Sequence, residues 1–321
     1  MGGVKDKIEA FDELYDRELK TLLHPLDQQR KAYLKQMTLS VLLLISIIAG
    51  SVFLLPVANY LVGIGVLLIG CYLIRRNYKT FKAKFASDFK QEVITKLIRG
   101  VDKTLEYAPA AGIEKEVFVK SGLFPGTIAT YVSEDRVEGK IGDTALCFSE
   151  IHARTKTKDT GNHSETYQDL FKGLFFVATF NKAVSSRLFI YPDYFGGRLS
   201  NIQESLLKGM HRNDQLETIR LEDPEFEKQF SVFGTDQVDA RYILSPSLMA
   251  RLLELSKKYR YFAVSFADNQ IYVVFHLSKN LFEPRILRSV SNQKQLEEYV
   301  TYIVLMVGII DDLKLDYTIR D

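Results

Sequence analysis

Two long apolar runs stand next to each other near the N-terminus of the chain, at Met37–Leu55 and Val57–Ile74. From Met37 to Ile74 the sequence contains no Asp, Glu, Lys or Arg. Each run has close to the ~20 residues that a helix needs to cross the hydrocarbon core of a bilayer. Only Pro56 separates them, so the pattern predicts two transmembrane helices joined by a very short turn.

A signal peptide or a buried helical hairpin would fit these runs less well. We expect no cleaved signal peptide, because the first run begins late and a second run follows at once. A buried helical hairpin of a soluble protein would rarely lack every charge over this length. Small residues would let the spans pack closely, although glycine is common in membrane helices in any case. These small residues are Gly50, Ser51, Gly63, Gly65 and Gly70.

Basic residues stand on both sides of the double run and are missing from the turn inside it. The closest ones are Arg30, Lys31, Lys35, Arg75, Arg76 and Lys79. Lys and Arg near the ends of a span favour the cytoplasmic side of the membrane. Both flanks, residues 1–36 and 75–321, are therefore predicted to be cytoplasmic.

Apolar residues recur every three or four positions on both flanks, which predicts a helix on each side. The first runs from Lys5 to Gln36, and Pro25 is expected to kink or break it. The second runs from Arg75 to Glu106 and begins with a basic half. A stripe of phenylalanines in this second helix has two interpretations, contact with lipid headgroups or packing on the N-terminal helix. The stripe consists of Phe81, Phe85 and Phe89.

From Ile113 onward, alternating apolar and polar positions and many β-branched and aromatic residues predict strands. The predicted strands are Glu116–Lys120, Thr127–Val132, Arg136–Ile141, Thr144–Arg154, Phe171–Asn181 and Arg187–Tyr191, with an exposed loop at Thr155–Glu165. Further along, we predict helices at Leu199–Met210, Ser247–Tyr259 and Gln293–Leu313, an extended segment at Phe226–Phe233, and a hairpin of Tyr261–Phe266 with Gln270–His276.

The fold class predicted from these patterns is α+β. A two-helix transmembrane hairpin precedes a mostly antiparallel, β-rich cytoplasmic domain with covering helices. The expected organisation is a cytoplasmic N-terminal helix at 1–36, the transmembrane hairpin at 37–74, a basic juxtamembrane helix at 75–110 and a cytoplasmic domain at 111–321, with a potential division near residue 199.

The second half of the chain contains several distinctive segments. Leu221–Leu252 reads LEDPEFEKQFSVFGTDQVDARYILSPSLMARL, and Asp236–Tyr242 is its most specific piece. Supporting segments are Phe171–Lys182, Val264–Phe275, Leu281–Pro284 and Ile309–Ile319. With the membrane hairpin, they resemble the uncharacterised bacterial membrane family called "domain of unknown function 3137" over most of the chain. The resemblance implies this architecture and a bacterial inner-membrane location, and it implies no activity.

Composition and motifs argue against several classes of function. A net charge of +2 with dispersed basic residues offers no groove for nucleic acid. The five histidines show no metal-ligand spacing, and the sequence has no Walker loop, GxSxG or GxGxxG motif. We therefore expect no cofactor and no metal. Cys71 and Cys147 are interpreted as small buried apolar residues.

One polar cluster remains as a candidate site: Asp236, Asp239, Arg241 and Tyr242. The two aspartates share a face if this segment forms a helical turn, and Arg241 could pair with either. The cluster could bind a cationic or amide-bearing partner. Alternatively, it is a capped turn in which a partly buried Arg241 holds the structure, and this is the interpretation that we favour.

The functional hypothesis from sequence is a membrane-anchored cytoplasmic binding or scaffold protein of unknown ligand. The alternative is a membrane-bound enzyme whose polar residues converge only in three dimensions, in a deep pocket of carboxylates without structural partners. The expected partners are the lipid bilayer and either a second copy of the chain or another membrane protein.

Overall fold

The computed structural model describes residues 11, 13, 15–54, 60–158, 165–180, 186–192, 216–259 and 261–313. The chain divides into two compact units. The first comprises residues 1–100 and 282–300, and the second comprises residues 101–281 and 301–321. The domain limits expected from the sequence stay predictions, and the potential division near residue 199 lies outside the described residues.

The first unit is built from helices. They are α1 (Lys20–Leu54), α2 (Tyr60–Phe89) and α3 (Thr95–Val101), with π-helical turns at Tyr15–Leu19 and Lys90–Ile94. A helix on each side of the apolar runs is therefore confirmed over the described residues. Pro25 lies inside α1 and does not end it, so a break at Pro25 is wrong and a kink there stays a prediction.

Helices α1 and α2 pack against each other. Near the basic flank, the rings of Tyr33 and Phe81 stack with centroids 3.7 Å apart. Further along, a Cβ added to Gly70 would lie 2.5 Å from a methyl carbon of Leu44. The missing side chain at Gly70 thus permits the close approach expected of a small residue in a helix pair. An added Cβ at Gly50 or Gly65 would meet nothing within 4 Å, so these two glycines are not needed for it.

The phenylalanine stripe of α2 is packed inside the first unit. Phe85 and Phe89 are 2% and 1% exposed, and Phe81 stacks on Tyr33 of α1. Burial keeps Phe85 and Phe89 from contact with lipid headgroups, and Phe81 packs on the N-terminal helix as the second interpretation expected. Leu19 of the N-terminal segment is fully buried as well.

Among the described residues, one helix is long and apolar enough to cross a membrane, at Tyr15–Gly50. The turn between the two apolar runs, residues 55–59, lies outside the described part of the chain. The structure thus supports one of the two predicted spans by length and composition. Cys71, which was expected to be buried, is exposed on α2.

The second unit contains, within the described residues, nine strands in one antiparallel sheet. They are β1 (Glu106–Ala108), β2 (Ile128–Ile141), β3 (Thr144–Lys158), β4 (Glu165–Thr179), β5 (Leu188–Pro192), β6 (Glu217–Thr218), β7 (Phe230–Gly234), β8 (Phe262–Ala267) and β9 (Gln270–His276). Their order across the sheet is β1-β2-β3-β4-β9-β8-β5-β7-β6. The predicted α+β class with a mostly antiparallel sheet is confirmed for this unit.

The remaining helices are short, apart from the last one, whose residues are divided between the two units. They are α4 (Lys115–Lys120), α5 (Pro224–Gln229), α6 (Gln237–Ile243), α7 (Pro246–Lys258) and α8 (Gln293–Leu313). The predicted α8 is confirmed with the same limits. The predicted helix at Leu199–Met210 lies outside the described residues.

One strand prediction is wrong, and another is wrong for half of its length. Glu116–Lys120 forms most of helix α4, because so few residues are not enough for apolar spacing to separate a strand from a helix turn. The extended segment expected at Phe226–Phe233 begins as helix α5, whereas its second half, from Phe230 onward, is strand β7 as predicted. Asp223 caps this helix by accepting hydrogen bonds from the N–H groups of Glu225 and Phe226. An Asp followed by Pro at the first helical position is a standard helix start, and the prediction overlooked it.

The predicted hairpin around Asp268-Asn269 is confirmed as β8 and β9. Asp268 and Asn269 have φ angles of 51° and 56°. Two consecutive left-handed residues form the type I′ turn whose twist matches a two-residue hairpin. Strand β9 then pairs with β4 in the middle of the sheet.

Candidate functional site

The polar cluster predicted from the sequence lies on and just before helix α6: Asp236, Asp239, Arg241 and Tyr242. Asp236 is the N-cap, and its carboxylate accepts hydrogen bonds from the N–H groups of Val238 (2.8 Å) and Asp239 (2.7 Å). Arg241 is exposed, and the described residues include no ion pair between it and either aspartate. The expected burial of Arg241 is therefore wrong, since this short helix turns it to solvent. Whether the cluster binds a partner stays a prediction.

The two roles within this cluster are separable by mutation. Asp236→Ala is expected to lower the free energy of unfolding by about 1 kcal/mol, because two N–H groups at the helix start lose their acceptor. Arg241→Ala is expected to change it by no more than about 0.5 kcal/mol, as for other exposed residues. Urea titration of the full chain in a mild detergent measures both. An equal loss in the two variants would contradict this assignment.

A second candidate site lies in the first unit, around the segment Pro284–Arg288, which we call the basic loop. A buried ion pair of α1 holds its backbone. Arg30 donates from Nη1 to the carbonyl of Ile286 (3.0 Å) and from Nε to Asp27 (2.9 Å). Asp27 also accepts a hydrogen bond from the hydroxyl of Ser289 (3.0 Å). The side chains of Arg30 and Asp27 are only 7% and 9% exposed.

Asp27 is ionised at neutral pH, which keeps its ion pair with Arg30 and its hydrogen bond from Ser289 intact. Burial by itself raises the pKa of Asp27, but hydrogen bonds from Lys31, Arg30 and Ser289 outweigh burial and lower the pKa to about 2. The carboxylate is thus ionised throughout the physiological range. The basic loop is held in place by a charge-assisted network that does not titrate near pH 7.

Between α2 and the basic loop lies a cavity of about 350 Å³, which we call the basic cavity. Tyr78 and Lys82 line it from α2, and the whole basic loop lines it from the other side. Three cationic side chains meet there: Lys82, Arg285 and Arg288. Cations in this number at one cavity suit a phosphate or carboxylate ligand.

The cations of the basic cavity are weakly paired. Lys82 lies 3.5 Å from Glu283, and Arg285 lies 3.8 Å from Glu298. Both distances exceed the roughly 2.7–2.9 Å of a strong charge-assisted hydrogen bond. Arg288 is exposed and makes no ion pair with any described residue. These groups are therefore available to a stronger anionic acceptor.

The basic cavity lies close to the end of the second apolar run. Tyr78 and Lys82 follow Ile74 by four and eight residues on the continuous helix α2. A rise of 1.5 Å per residue puts them roughly 6 and 12 Å beyond the end of the apolar run along the helix axis.

A third polar site lies in the second unit, where β2 carries an extra residue opposite β3. The pairing shifts between Glu134 and Val137, and Asp135 adopts a φ of 60°. Such a bulge breaks the alternation of side chains along a strand. It gathers carboxylate oxygens of Glu134, Asp135 and Glu150 within 4.8 Å of one another. These are the residues of the described chain that could hold a divalent cation.

Each carboxylate of this acidic cluster has a protein partner. The hydroxyl of Tyr107 donates to Asp135, the Asn280 amide donates to Glu134 (3.2 Å), and the N–H of Leu281 donates to Glu150. Burial, followed by the nearby Asp135 carboxylate, raises the pKa of Tyr107 well above its usual range. Tyr107 therefore stays a protonated hydrogen-bond donor.

The sequence anticipated some of these groups and missed others. Of the six flanking basic residues, Arg30 is buried in the Asp27 pair, while Lys31, Lys35, Arg75, Arg76 and Lys79 are exposed. Sequence reasoning missed the basic loop, because its partners on α1 and α2 lie far away along the chain. Sequence reasoning also missed the acidic cluster, because no local sequence pattern predicts the bulge at Asp135. The sequence LFEPRILRS contains two arginines around a leucine, which was the one local signal for an anion site.

Comparison with known proteins supports the family resemblance. Residues 169–315 match the family described as "Protein of unknown function (DUF3137)". No curated protein matches the chain. Among solved structures, the chain is similar to the crystal structure of the mycobacterial trehalose monomycolate transport factor A, TtfA, with 9% sequence identity and a TM-score of 0.35, over 66% of this chain and 92% of that chain. The family resemblance read from the sequence is thereby confirmed over residues 169–315, which match a domain of unknown function.

Proposed function

We propose that this chain is a membrane-anchored binding protein, held in the bilayer by α1 and α2 as a two-span hairpin. One observation carries the proposal. Large apolar side chains on both helices are exposed over the described parts of the two apolar runs, for example Leu43 at 64% and Leu68 at 62%. A continuous apolar surface of this kind is unfavourable in water and matches the hydrocarbon core of a membrane.

The pairing of the two helices supports two spans. Tyr33 meets Phe81, and Leu44 meets Gly70, so the two runs lie side by side in opposite directions. If one run crosses the membrane, its partner has the same environment. The basic residues beyond both runs support a cytoplasmic location for the two ends, in the inner membrane of a bacterium.

Binding is favoured over catalysis by the state of the acidic groups. An enzyme would need polar groups free to act on a substrate. In the acidic cluster, Glu134, Asp135 and Glu150 all accept hydrogen bonds from the protein. The cations of the basic cavity are the weakly paired polar groups instead, and a cationic cavity serves to hold an anion.

Self-association, or assembly with another membrane protein, stays a proposal. The phenylalanine stripe and the apolar N-terminal residues no longer support it, because Phe85, Phe89 and Leu19 are buried within the first unit. The surfaces left for such contacts are the exposed apolar faces of α1 and α2. A nucleic-acid partner is not part of the proposal.

Reporter fusions in a bacterial host test the anchoring. A reporter enzyme that is active only outside the cytoplasm is expected to be active when fused after Asn59, in the turn. The same reporter is expected to be inactive when fused after Asp321, because an even number of spans returns the chain to the cytoplasm. Activity of the Asp321 fusion would overturn the two-span orientation. Recovery of the full chain in the soluble fraction would overturn the membrane anchor itself.

A further inference from the structure

We propose that the basic cavity binds the phosphate group of an anionic phospholipid headgroup at the cytoplasmic surface of the membrane. The inference rests on the membrane anchoring proposed above and extends it, because it names a site and a ligand class. It draws on four properties of the basic cavity and its basic loop: charge, depth, the chemistry of the rim and rigidity.

The charge of the basic cavity suits a phosphate. Lys82, Arg285 and Arg288 line one cavity. A guanidinium group presents a planar fork of N–H donors that matches two phosphate oxygens at once. The glutamates opposite Lys82 and Arg285 lie 3.5 and 3.8 Å away, in partly exposed positions. A phosphate can displace such loose contacts with little loss, and Arg288 has no ion pair with a described residue to give up.

The depth of the basic cavity suits a headgroup. Tyr78 and Lys82 lie roughly 6 and 12 Å beyond the apolar run along α2. A bilayer has a hydrocarbon core of about 30 Å and a total thickness of about 40–45 Å, so each headgroup layer is about 5–8 Å thick. The Tyr78 end of the basic cavity falls in this layer. Long Lys and Arg side chains reach back toward it while their charges stay hydrated.

The rim of the basic cavity favours a lipid over a free anion. The N–H of Arg288 donates to the carbonyl of Arg285 (2.9 Å), which makes this part of the basic loop a turn. Leu287 lies in the turn and is 75% exposed. An exposed leucine between two arginines is typical of segments that rest on a membrane surface. Binding of soluble phosphate would leave Leu287 exposed to water, whereas contact with a membrane would bury its side chain.

The basic loop is also rigid before any ligand arrives. Arg30 holds the carbonyl of Ile286, and Asp27 holds Ser289, on either side of Leu287 and Arg288. A preorganised site loses less conformational entropy on binding than a mobile one. The buried ion pair thus acts as the support of the site and takes no part in ligand contact.

The test uses the full chain purified in a neutral detergent and short-chain lipids added at known concentration. Binding of phosphatidylglycerol and of the zwitterionic phosphatidylcholine is measured by native mass spectrometry, and the melting temperature is measured in parallel. The wild-type chain is expected to bind phosphatidylglycerol at least about tenfold more tightly than phosphatidylcholine. The double variant Arg285→Gln/Arg288→Gln is expected to lose about tenfold in that affinity and to keep its melting temperature without lipid.

A matched control removes the same charge elsewhere. Arg99 and Arg220 are exposed and remote from the basic cavity in sequence, so Arg99→Gln/Arg220→Gln is expected to bind phosphatidylglycerol within about twofold of the wild type. Equal losses in the two double variants would overturn the site, because they would show a nonspecific effect of net charge. Unchanged binding by Arg285→Gln/Arg288→Gln would overturn it as well.

Two further measurements distinguish a lipid ligand from free phosphate. Leu287→Ser is expected to weaken phosphatidylglycerol binding severalfold, since it removes the apolar contact. Inorganic phosphate alone is expected to leave the melting temperature of the wild type unchanged at millimolar concentration. Stabilisation by inorganic phosphate that equals that by the lipid would overturn the lipid assignment. A negative result in any of these measurements leaves the reporter-fusion result unaffected, so failure of the lipid site is distinguishable from failure of the membrane anchor.

Discussion

Asp27→Asn is expected to destabilise the first unit by about 3–5 kcal/mol, the cost of breaking a buried ion pair by removing one partner. The substitution keeps the size of the side chain and removes its charge. Arg30 would remain buried at 7% exposure beside a neutral amide. The attachment of Ser289 to α1 would weaken at the same time, because it uses the same carboxylate oxygen.

The matched control for this experiment is Asp16→Asn. Asp16 pairs with Lys20, but both side chains are more than 60% exposed. Removing this pair is therefore expected to lower the free energy of unfolding by no more than about 1 kcal/mol. Thermal and urea unfolding of the full chain in a mild detergent compares the two variants. If Asp27→Asn proved as mild as Asp16→Asn, the Asp27–Arg30 pair would be hydrated and the anchor of the basic loop would be weak.

The Asp27–Arg30 pair also predicts how the stability of the fold changes at low pH. The pKa of Asp27 is lowered to about 2 in the folded chain, compared with about 3.9 for an unperturbed Asp. A lowered pKa stabilises the fold above the unfolded value, so this contribution is complete above about pH 4 and is lost as the pH falls toward 2. The stability difference between the wild type and Asp27→Asn should therefore narrow over that interval. A constant difference would assign the effect of the mutation to packing.

Gly173→Ala is expected to destabilise the second unit by about 2–6 kcal/mol, or to prevent its folding. Gly173 has a φ of 155°, which side chains rarely adopt at a cost of about 1–3 kcal/mol. An added Cβ would also overlap the carbonyl oxygen of Phe275 and lie 2.9 Å from the nitrogen of Leu277. Both are backbone atoms in or next to β9, so relief requires movement of a central strand, which adds about 1–3 kcal/mol.

Gly126→Ala separates backbone strain from steric overlap with β9 as the cause of the destabilisation. Gly126 also has a positive φ, of 116°, but an added Cβ there would meet nothing within 4 Å. This variant should show the backbone strain alone and keep the sheet intact. Circular dichroism and urea titration of both variants provide the measurement. Equal losses would mean that backbone strain, and not contact with β9, accounts for the need for glycine at position 173.

Local signals in the sequence predicted the local elements well. The hairpin of β8 and β9 followed from two apolar runs around Asp268-Asn269, and α8 followed from its helical spacing. In both cases the pattern lies within one short stretch of the chain. The assignment of Glu116–Lys120 to a strand failed because so short a stretch contains too little periodicity to decide.

The candidate sites depend on contacts that local patterns do not contain. Asp27 and Ser289 are 262 positions apart, so the anchor of the basic loop was not visible in either segment. Arg30 was counted as a basic residue beside a membrane span, although its charge is used inside the protein. The acidic cluster was missed for a different reason, since a single extra residue at Asp135 reverses which face each following side chain takes.

The discontinuity of the first unit has a consequence for biosynthesis. Its first helices come from residues 1–100, but the segment that carries the basic loop, 282–300, is made only after residues 101–281 of the second unit. At 5–20 residues per second, the ribosome needs roughly 9–36 seconds to make the intervening chain, residues 101–281. During this time helices α1 and α2 are already complete, whereas Asp27 and Arg30 still lack their hydrogen-bond partners Ser289 and Ile286. Completion of the first unit is therefore a late step, and a nascent chain that stops before residue 282 lacks the last segment of this unit.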